Sequence, residues 1–330
     1  MYTLGIETSC DETAAAVVKD AKIIVSNAVS SSLFWHKKYG GIVPEIASRK
    51  QMEAITQIAG VALSQAKLTL DKIGLISVTC GPGLIGSLIV GLEFAKAISL
   101  AKKIPLVGVN HLYSHIYACF LNLPKPRMPL IALVVSGGHT IIYLLHDFDK
   151  IQTLGTTNDD ACGETFDKVA KILGLGYPGG PVIERRAAQA GSNSHIRFSC
   201  LNPKKPLDFS FSGIKTAVLY YVKKHGLKNK QKINQICWSF QESVIDSLVV
   251  KTLSACRKYK VKHLAVSGGV AANMRLRDRF QRESRALAGL NLYFPPKQLC
   301  TDNAAMVAGF GYQIFKKGHR SSFSLNLALD

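Results

Sequence analysis

The sequence lacks an uninterrupted hydrophobic run that would suit a membrane helix. Residues 74–92 carry no charge and could span a bilayer by length, but Gly-Pro-Gly at 81–83 breaks them where lipid could not satisfy the freed backbone groups. Residues 128–145 are broken by Gly-Gly-His at 137–139 in the same way. Residues 2–7 contain neither the basic nor the apolar segment of a signal peptide. We therefore expect a soluble, cytoplasmic protein with no membrane attachment.

Clustered cysteines are also missing. The chain has eight cysteines, but they are scattered without a C-x-x-C pair. This distribution excludes a small disulfide scaffold and a zinc ribbon, and it favours reduced thiols in a cytosol.

Acidic side chains are scarce. The chain has 22 aspartates and glutamates against 41 lysines and arginines, a formal net charge of +19. This excess favours an anionic partner, and nucleic acid before a membrane surface because no basic amphipathic anchor stands out. The alternative is a generally lysine-rich surface. Hydrophobic residues at 47% and charged residues at 19% exclude a disordered chain.

The length of 330 residues suits two domains, each large enough to bury a core. Short apolar runs ending in Gly, Ser or Thr turns alternate with helix-length amphipathic segments, which is typical of α/β layers around a parallel or mixed sheet. The predicted strands are 2–7, 14–19, 73–79, 130–136, 140–145 and 263–267. The predicted helices are 44–66, 86–101, 110–121, 163–173, 181–190, 233–258 and 302–316.

The two halves of the chain open in a similar way. Residues 4–9 and residues 133–140 are both apolar strands that lead into small, hydroxyl-rich turns, and each is followed by a second apolar strand. A proline-rich joint at 124–129 precedes the second copy. The simplest interpretation is one α/β building block used twice, with a cleft between the copies.

His111 and His115 form an H-x-x-x-H pair. Positions i and i+4 share one helix face with Cβ atoms about 6 Å apart, so both imidazoles can reach one metal ion. The pair lacks the glutamate that zinc proteases carry after the first histidine as a general base. Asp302, at the start of a predicted helix, is the best candidate for a third ligand, although it could be a plain N-cap. The alternative for the histidines is a polar helix face.

Two Ser-Gly-Gly turns, at 136–138 and 267–269, each follow an apolar run. They present backbone N–H groups at a strand end, which suits a phosphate or carboxylate, although ordinary tight turns look the same. Neither turn matches the P-loop or the Rossmann motif. Residues 159–181 add acids beside another glycine-rich turn, a combination that suits ribose hydroxyls; capping or salt bridging is the alternative.

The sequence also contains an acidic cluster near its N-terminus and three basic clusters. Glu7, Asp11 and Glu12 surround hydroxyl side chains and could hold a metal–phosphate or orient a nucleophile, or could form a solvated turn. The basic clusters could track a phosphate backbone, although most charge runs are solvated faces. They consist of Arg275, Arg279 and Arg282, of Lys223, Lys224, Lys228, Lys230 and Lys232, and of Lys316, Lys317 and Arg320.

Taken in order, the motifs resemble those of the bacterial TsaD family, the tRNA N(6)-adenosine threonylcarbamoyltransferases. The resemblance extends over essentially the whole chain. It rests on GIETSCDET at 5–13, YGGIVPEIASR at 39–49, GPGLIGSL at 81–88, the histidine segment at 110–115, VSGGHT at 135–140, DDACGETFDKVAKILGLGYPGGP at 159–181, DFSFSGIKTA at 208–217, SGGVAANMRLR at 267–277 and CTDNAAMVA at 300–308.

The resemblance implies a two-lobed α/β fold like that of actin and the sugar kinases, built from a duplicated unit with the nucleotide in the cleft between lobes. We place the lobes at 1–126 and 127–303, with the C-terminal helix, about 304–330, packing back on the first. The implied reaction moves the threonylcarbamoyl group of threonylcarbamoyl-AMP to the exocyclic amine of the adenosine 3′ to the anticodon. The implied substrates are tRNAs that read codons beginning with A, and AMP is released.

The resemblance also implies roles for particular residues. One divalent metal ion per subunit, with iron(II) favoured and zinc also suitable, is implied to be held by His111, His115 and Asp302. The anionic part of the acyl-adenylate is implied to lie at Val134, Val135, Ser136, Gly137 and Gly138. The ribose and adenine are implied to face Asp167, Gly180 and Glu184, and Asn273 is implied to face the nucleotide from the other lobe. Proton handling or contact with tRNA is predicted for Glu12 or Asp11.

Some positions depart from the family pattern. Tyr113 and Ser114 stand between the histidines where Glu-Gly is frequent, Gln51 stands where histidine is frequent, and Glu184 replaces a frequent aspartate. None of these positions is a predicted metal ligand. The departures therefore affect the fine geometry of substrate binding rather than the reaction.

The expected partners also follow from the resemblance. They are tRNA, threonylcarbamoyl-AMP, a smaller TsaB-type paralogue that dimerises through the N-terminal lobe, and a TsaE-type ATPase. Alternative functions are a metal-dependent peptidase and a sugar-kinase-like ATPase that uses nucleotide to switch shape. A non-catalytic scaffold is a further alternative, against which the metal-capable His111, His115 and Asp302 argue.

Overall fold

A computed structural model describes the chain except for residues 125, 191–194, 202, 228 and 329–330. The chain divides into two compact units. Met1–Pro126 and Pro295–Asp330 form the first unit, and Arg127–Phe294 form the second. Residues 295–303 belong to the first unit, so Asp302 shares that unit with the histidine pair.

The strands are β1 Tyr2–Glu7, β2 Glu12–Lys19, β3 Ile23–Ser31, β4 Ile73–Gly81, β5 Leu106–Asn110, β6 Leu130–Val135, β7 Thr140–Asp147, β8 Lys150–Thr156, β9 His263–Ser267 and β10 Asn291–Tyr293. The helices are α1 Leu33–His36, α2 Pro44–Gln65, α3 Ile85–Lys102, α4 His111–Ala118, α5 Cys162–Ile172, α6 Gly179–Ala188, α7 Ser212–His225, α8 Lys230–Tyr259, α9 Met274–Ser284 and α10 Ala304–Lys316.

The strands of the first unit form a mixed sheet in the order β3-β2-β1-β4-β5. β1 and β2 form an antiparallel hairpin, whereas β1, β4 and β5 run parallel. Leu4 and Ile6 of β1 are fully buried and belong to the same core cluster as apolar side chains of α2 and α3. Gly5, which faces the opposite side because side chains alternate along a strand, lies against α10.

The close approach of α10 to the first sheet depends on small residues. An ideal Cβ on Gly5 would lie 2.2 Å from the carbonyl oxygen of Ala304, so any larger residue would push the helix away. The hydroxyl of Ser77 in β4 donates a 2.8 Å hydrogen bond to the carbonyl of Val307 in α10. This packing positions the segment before α10, which carries Asp302.

The second unit repeats the strand arrangement of the first. Its described strands form a sheet in the order β10-β9-β6-β7-β8. β6 and β7 form an antiparallel hairpin and β9 lies parallel to β6, as β4 lies parallel to β1 in the first sheet. The predicted α/β fold class and the repeated building block are therefore confirmed.

Most predicted elements lie within a few residues of their expected bounds. The strands predicted at 2–7 and 263–267 are β1 and β9, and the helix predicted at 44–66 is α2. The pattern does not predict β3, β5, β8, β10, α1, α7 or α9. Among the described residues, no helix is both long enough and apolar enough to cross a membrane.

Candidate functional site

The histidine pair owes its placement to a cap at the start of α4. β5 ends at Asn110, whose side-chain oxygen accepts hydrogen bonds from the N–H groups of Leu112 and Tyr113 at 2.9 and 3.1 Å. The helix therefore begins at His111, and His115 follows one turn later. The two rings lie edge to face with centroids 4.6 Å apart.

Asp302 completes a cluster of three possible metal ligands. Its Oδ1 lies 3.1 Å from Nε2 of His115 and 3.6 Å from Nε2 of His111. One candidate ligand atom from each residue lies within 4.8 Å of the other two. The N-cap of α10 is Asn303, which accepts from the N–H of Met306, so the alternative that Asp302 is a plain N-cap is wrong. Asp302 precedes the cap and faces the histidines.

Glu7 lies behind His111 and fixes its orientation. Oε2 of Glu7 is 3.0 Å from Nδ1 of His111 and also accepts a 2.7 Å hydrogen bond from the hydroxyl of Thr79. Oε1 accepts from the backbone N–H of Ser9 at 2.6 Å. When the imidazole N–H at Nδ1 donates to Glu7, the lone pair at Nε2 is left for a ligand on the side of Asp302. The role of Thr79 has no signal in the sequence, because it lies 72 positions from Glu7.

The electrostatics of this pair favour opposite charges. Burial raises the pKa of Glu7, but the charge and hydrogen bond of His111 outweigh burial, so the pKa is lowered overall. Burial lowers the pKa of His111, yet the charges of Glu7 and Asp302 raise it to about 9. The site therefore favours a positive charge at the place where the His111 and His115 Nε2 atoms meet Asp302.

The donor set fits a divalent transition-metal ion. Two imidazoles and one carboxylate match the ligands of iron(II) and zinc sites and leave coordination positions open. Both histidines are buried, whereas Asp302 is partly exposed. Among the described residues, Nδ1 of His115 has no hydrogen-bond partner. The carboxylate of Glu7 therefore orients His111 through its Nδ1, and no corresponding group in the described part of the chain orients His115. The residues present therefore fit the metal that the family resemblance implies.

Asp11 and Glu12 lie in the same unit. Burial and the charges of Asp302 and Asp11 raise the pKa of Glu12 to about 10, so its surroundings favour the neutral carboxyl group. The turn that carries both acids is held by Gln51 of α2. The Nε2 of Gln51 donates to the carbonyls of Cys10 and Glu12 at 2.9 and 3.1 Å. Gln51, noted in the sequence only as a departure from the family, thus supports the acidic turn.

The two Ser-Gly-Gly turns meet at one edge of the second sheet. β6 ends at Val135 and β9 ends at Ser267, and these parallel neighbours pair Val134 with Ser267. Gly268 has a φ of +90°, and an ideal Cβ on it would lie 2.4 Å from the carbonyl oxygen of Val135. The second turn can therefore approach the first only because a glycine stands at this position.

Helix α5 holds the first turn in place. The N–H groups of Gly163 and Glu164 donate to the carbonyls of Ser136 and Gly137, both at 3.1 Å. The first N–H groups of this helix are therefore already used by the turn. Gly137 and Gly138 are exposed, and no atom lies within 4 Å of an ideal Cβ on either one. The turn itself has room for a ligand.

Asp167 lies on α5 and contacts the start of α6, where Gly180 lies. Oδ1 of Asp167 accepts a 2.7 Å hydrogen bond from the N–H of Gly179. Burial raises the pKa of Asp167, and the hydrogen bond from Gly179 only partly opposes that shift. Open space surrounds Gly180. One carboxylate oxygen of Asp167 therefore caps the first N–H of α6, as the capping alternative predicts.

Glu184 and Asn273 meet at the start of α9. Oε1 of Glu184 accepts from the N–H of Met274 at 2.7 Å. Oδ1 of Asn273 caps the same helix through the N–H of Leu276 at 3.0 Å, and its Nδ2 donates to Gln241 at 2.9 Å. The structure therefore brings these two predicted nucleotide contacts together within the second unit. The expectation that Asn273 belongs to the other lobe is wrong, because Asn273 caps a helix of the same unit as Glu184.

The basic clusters differ in how their charges are compensated. Arg275 forms a bidentate pair with Glu242, with both distances at 2.7 Å, and Arg279 lies 2.7 Å from Asp246. No such ion pair forms at the described lysines of the α7–α8 corner, which are Lys223, Lys224, Lys230 and Lys232. Lys228, predicted in the same cluster, lies outside the described residues.

Comparison with known proteins gives a match over most of the chain. A family model described as TsaD, tRNA N6-adenosine threonylcarbamoyltransferase, matches residues 23–309. A protein with this name from Caldicellulosiruptor saccharolyticus is 48% identical over 329 residues, which cover 99% of this chain and 96% of the relative. Another with this name, from Syntrophus aciditrophicus, is 50% identical over 327 residues and has the same coverage of both chains, 99% and 96%.

Solved structures share the fold at low sequence identity. HypF from T. kodakarensis superimposes with a TM-score of 0.62 at 16% identity, over 96% of this chain and 48% of that one. Component A of the Acidaminococcus fermentans (R)-2-hydroxyglutaryl-CoA dehydratase superimposes with a TM-score of 0.55 at 16% identity, over 95% of this chain and 98% of that one. At such identity, the similarity shows the fold and nothing of the chemistry.

Proposed function

Because this chain belongs to the TsaD family of tRNA N6-adenosine threonylcarbamoyltransferases, we propose that it transfers the threonylcarbamoyl group of threonylcarbamoyl-AMP to tRNA. The acceptor is the exocyclic amine of the adenosine 3′ to the anticodon, in tRNAs that read codons beginning with A. The observation that carries the proposal, beside family membership, is the convergence of His111, His115 and Asp302 from two distant parts of the chain.

The metal site of the proposal consists of these three residues. They would hold one divalent ion, with iron(II) favoured and zinc compatible with the same donors. When bound, the ion would supply a Lewis acid for the carbamoyl carbonyl or a chelation point for the threonyl carboxylate.

Glu7 acts in this proposal as a positioning residue. Its hydrogen bond to Nδ1 holds the His111 ring in one tautomer and one orientation. Thr79 and Ser9 hold Glu7 in turn. A buried chain of hydrogen bonds therefore keeps the first ligand in place before substrate arrives, which lowers the cost of organising the site.

The second unit supplies the proposed nucleotide contacts. The exposed residues Gly137 and Gly138, beside Val134, Val135 and Ser136, would offer backbone N–H groups to the phosphate of the acyl-adenylate. The ribose and adenine would be contacted by Asp167 of α5, by Gly180 and Glu184 of α6, and by Asn273, the N-cap of α9. We also propose that the two compact units correspond to the N-terminal and C-terminal lobes.

The proposed reaction needs no covalent enzyme intermediate. The amine nitrogen attacks the carbamoyl carbon, and the bond from that carbon to the phosphate oxygen breaks. AMP leaves with the bonding electron pair, and the amine loses one proton. AMP is already a good leaving group, so positioning of the two substrates supplies much of the acceleration. Asp11 and Glu12 are the proposed groups for proton handling or contact with tRNA.

The proposed setting is the cytoplasm. Besides tRNA and threonylcarbamoyl-AMP, the proposed partners are a smaller TsaB-type paralogue and a TsaE-type ATPase. The excess of 41 basic over 22 acidic residues supports an interaction with an RNA.

Transfer of labelled threonine into unmodified tRNA tests this function. The reaction would contain the protein, its synthase and companions, ATP and bicarbonate. We expect label in tRNA with the unaltered chain and at least a hundredfold less with Asp302→Ala, the most exposed of the three ligands. His319→Ala, an exposed histidine in the same unit, is the matched control and should retain full transfer.

Two results would contradict the proposal. The first is a folded, metal-loaded protein that transfers no label in the complete mixture. The second is metal-dependent hydrolysis of a glycoprotein, or turnover of ATP without tRNA above a slow background, by a protein that transfers nothing. Metal content and thermal melting of each variant separate a lost ligand from a lost fold.

A further inference from the structure

An exposed aromatic cluster lies on the segment between β3 and α2. Phe34, Trp35 and Tyr39 expose 74%, 47% and 53% of their surface, although large apolar side chains are normally withdrawn from water. Phe34 and Trp35 meet edge to face with ring centroids 5.6 Å apart. We name these three residues the aromatic cluster. Such a patch on a short segment marks an interaction site rather than a packing need.

Lysine ammonium groups lie over the rings of the aromatic cluster. The Nζ of Lys38 is 4.9 Å from the centroid of Tyr39, and the Nζ of Lys50 is 4.7 Å from that of Trp35. Lys37 is exposed beside them. Among the described residues, neither Lys37 nor Lys38 forms an ion pair, because the acids of the following helix bond to its own basic residues. The patch is therefore both aromatic and positively charged.

The backbone under the aromatic cluster is held by a buried histidine. His36 is fully buried, and its Nε2 lies 2.9 Å from the hydroxyl of Ser32. Its Nδ1 accepts a 3.2 Å hydrogen bond from the N–H of Val43. The histidine thus ties both ends of the segment together. A preformed platform loses little conformational entropy when a ligand binds to it.

The same segment is anchored beside the candidate metal site. The carbonyl of Asp11 accepts hydrogen bonds from both the N–H and the hydroxyl of Ser32, at 3.0 and 2.8 Å. Ser31 pairs with Glu12 across the β2–β3 hairpin. Ser9, in the same β1–β2 turn, has its hydroxyl 3.1 Å from Nδ1 of His111. The aromatic cluster is therefore joined through Ser32 to the acidic turn, and that turn contacts the ligand cluster.

We propose that the aromatic cluster stacks unpaired bases of the tRNA anticodon loop, while Lys37 and Lys38 neutralise its phosphates. The inference rests on the proposed function, which makes an anticodon loop the substrate. Base stacking on aromatic rings requires unpaired bases, as in a loop, and works with any base because each has a π face. A protein partner fits less well, since lysine is depleted at protein interfaces.

Trp35 provides a direct readout of stacking. The chain has two tryptophans, so Trp238→Phe leaves Trp35 as the sole reporter. We expect an unmodified anticodon stem-loop RNA to quench the fluorescence of Trp35 in this variant. We expect Phe34→Ala/Trp35→Ala/Tyr39→Ala to raise the Kd for the same RNA at least fivefold, the lower limit for loss of one stacked base. The side chains are exposed, so the variant should keep the melting temperature of the parent.

Leu100→Ala is the control for removal of an exposed apolar side chain. Leu100 on α3 of the same unit is 65% exposed, and its removal should leave the Kd unchanged. The proposal is overturned when the triple variant binds the stem-loop within twofold of the parent. It is also overturned when a companion protein, and not the RNA, quenches Trp35. Failure of the proposed function is distinguishable, because it would show as absent threonine transfer by the unaltered chain whatever the stem-loop Kd.

Discussion

Glu7 shows how a single buried carboxylate can organise a site. Its two oxygens accept hydrogen bonds from a backbone N–H and a threonine hydroxyl and face the ring of His111. A buried charge is costly unless such partners compensate it, and removing one partner leaves the others unsatisfied. The position of the imidazole is therefore coupled to the integrity of the whole hydrogen-bonded group.

Glu7→Gln should weaken metal binding without abolishing it. The amide would replace an anionic partner of His111 with a neutral one, and loss of such a supporting group costs about 10- to 100-fold in metal affinity. Competition between the protein and a chromophoric chelator for iron(II) or zinc measures the change in Kd. Glu45→Gln, on an exposed glutamate of α2, should bind metal as the parent does. Equal Kd values for both variants would show that Glu7 does not support the site.

At the residue scale, the sequence predicts ligands better than their supports. The spacing of His111 and His115 requires only that the segment be helical, which its pattern indicates. Asp302 can be suspected as a ligand, but the sequence does not distinguish it from a cap, and the structure shows that Asn303 takes that role. The partnership of Glu7 with His111 spans 104 positions and depends on the sheet register, which local patterns do not contain.

At the element scale, the strands missed by the pattern share one property. β3 and β5 are the edges of the first sheet, and β8 and β10 are the edges of the second. An edge strand is covered on fewer sides than a central one, and β3, β8 and β10 accordingly carry polar residues and lack a continuous apolar run. β5 is apolar, but it has only five residues and leads directly into α4, so its pattern alone does not identify a strand. The central strands β1, β4, β6 and β9 are buried on both faces and are predicted well.

Gly5→Ala should destabilise the first unit and displace Asp302 together. The added Cβ would meet the carbonyl oxygen of Ala304 at 2.2 Å, so α10 would have to move away from β1. Overpacking of this kind costs about 1–3 kcal/mol or more, and the shift would separate Asp302 from the histidines. We therefore expect a lower free energy of unfolding, measured by urea denaturation, and a weaker affinity for the metal ion.

The matched control for this substitution is Gly60→Ala. Gly60 lies in α2 of the same unit, with no atom within 4 Å of an ideal Cβ. Alanine in an exposed helix position should raise the free energy of unfolding by about 0.5–1 kcal/mol. Equal stability of the two variants would contradict the close packing of α10 on the sheet.

Asp160 links two helices of the second unit and should make stability depend on pH. Its Oδ1 lies 2.6 Å from Nζ of Lys168 in α5, and its Oδ2 lies 2.7 Å from Nζ of Lys215 in α7. Burial raises the pKa of Asp160, but the hydrogen bonds and charges of both lysines lower it overall. The ion pairs therefore stabilise the fold above the ordinary aspartate pKa of 3.8, and that contribution is lost as pH falls below it.

Asp160→Asn tests this linkage. At pH 7 we expect the variant to lose about 1 kcal/mol of unfolding free energy, because partly exposed ion pairs contribute little each. The difference from the parent should shrink as the pH falls below 3.8 toward the pKa of the folded state. Urea denaturation at several pH values measures it. Asp71→Asn, which removes an exposed ion pair with Lys102, should change stability little at any pH. A constant difference for Asp160→Asn down to pH 3 would contradict the assignment.

At the scale of the whole molecule, duplication separates the candidate groups between two similar units. In the first unit, the two histidines of the ligand cluster follow β5 and Asp302 precedes α10. In the second unit, the Ser-Gly-Gly turns lie at the ends of β6 and β9. In each sheet, chemistry-bearing residues follow parallel strands, where backbone N–H groups and side chains converge. The repeat could be predicted from the two strand–turn openings, because that pattern is local. The sequence pattern does not predict that the first copy carries the candidate metal ligands and the second copy the glycine turns.

The net charge of +19 also acts at this scale, but only part of it is available to a ligand. The arginines of α9 are bonded to acids of α8, whereas the described lysines of the α7–α8 corner have no such pairs. Counterion release makes RNA affinity fall as a power of salt concentration, with a slope of about −0.7 per phosphate neutralised on a single strand and about −0.9 on a duplex. Binding of tRNA should therefore weaken steeply with added KCl.

Replacing Lys223, Lys224, Lys230 and Lys232 with glutamine should flatten that dependence. If all four neutralise phosphates, the slope of log K against log salt should become shallower by about 2.8 on a single strand and about 3.6 on a duplex. Fluorescence anisotropy with labelled tRNA at several KCl concentrations measures both slopes. The four-arginine variant keeps the charge and is the matched control, so it should retain the slope of the parent. A parent whose affinity does not change with salt would exclude an electrostatic interface, and an unchanged slope in the glutamine variant would move that interface to another basic surface.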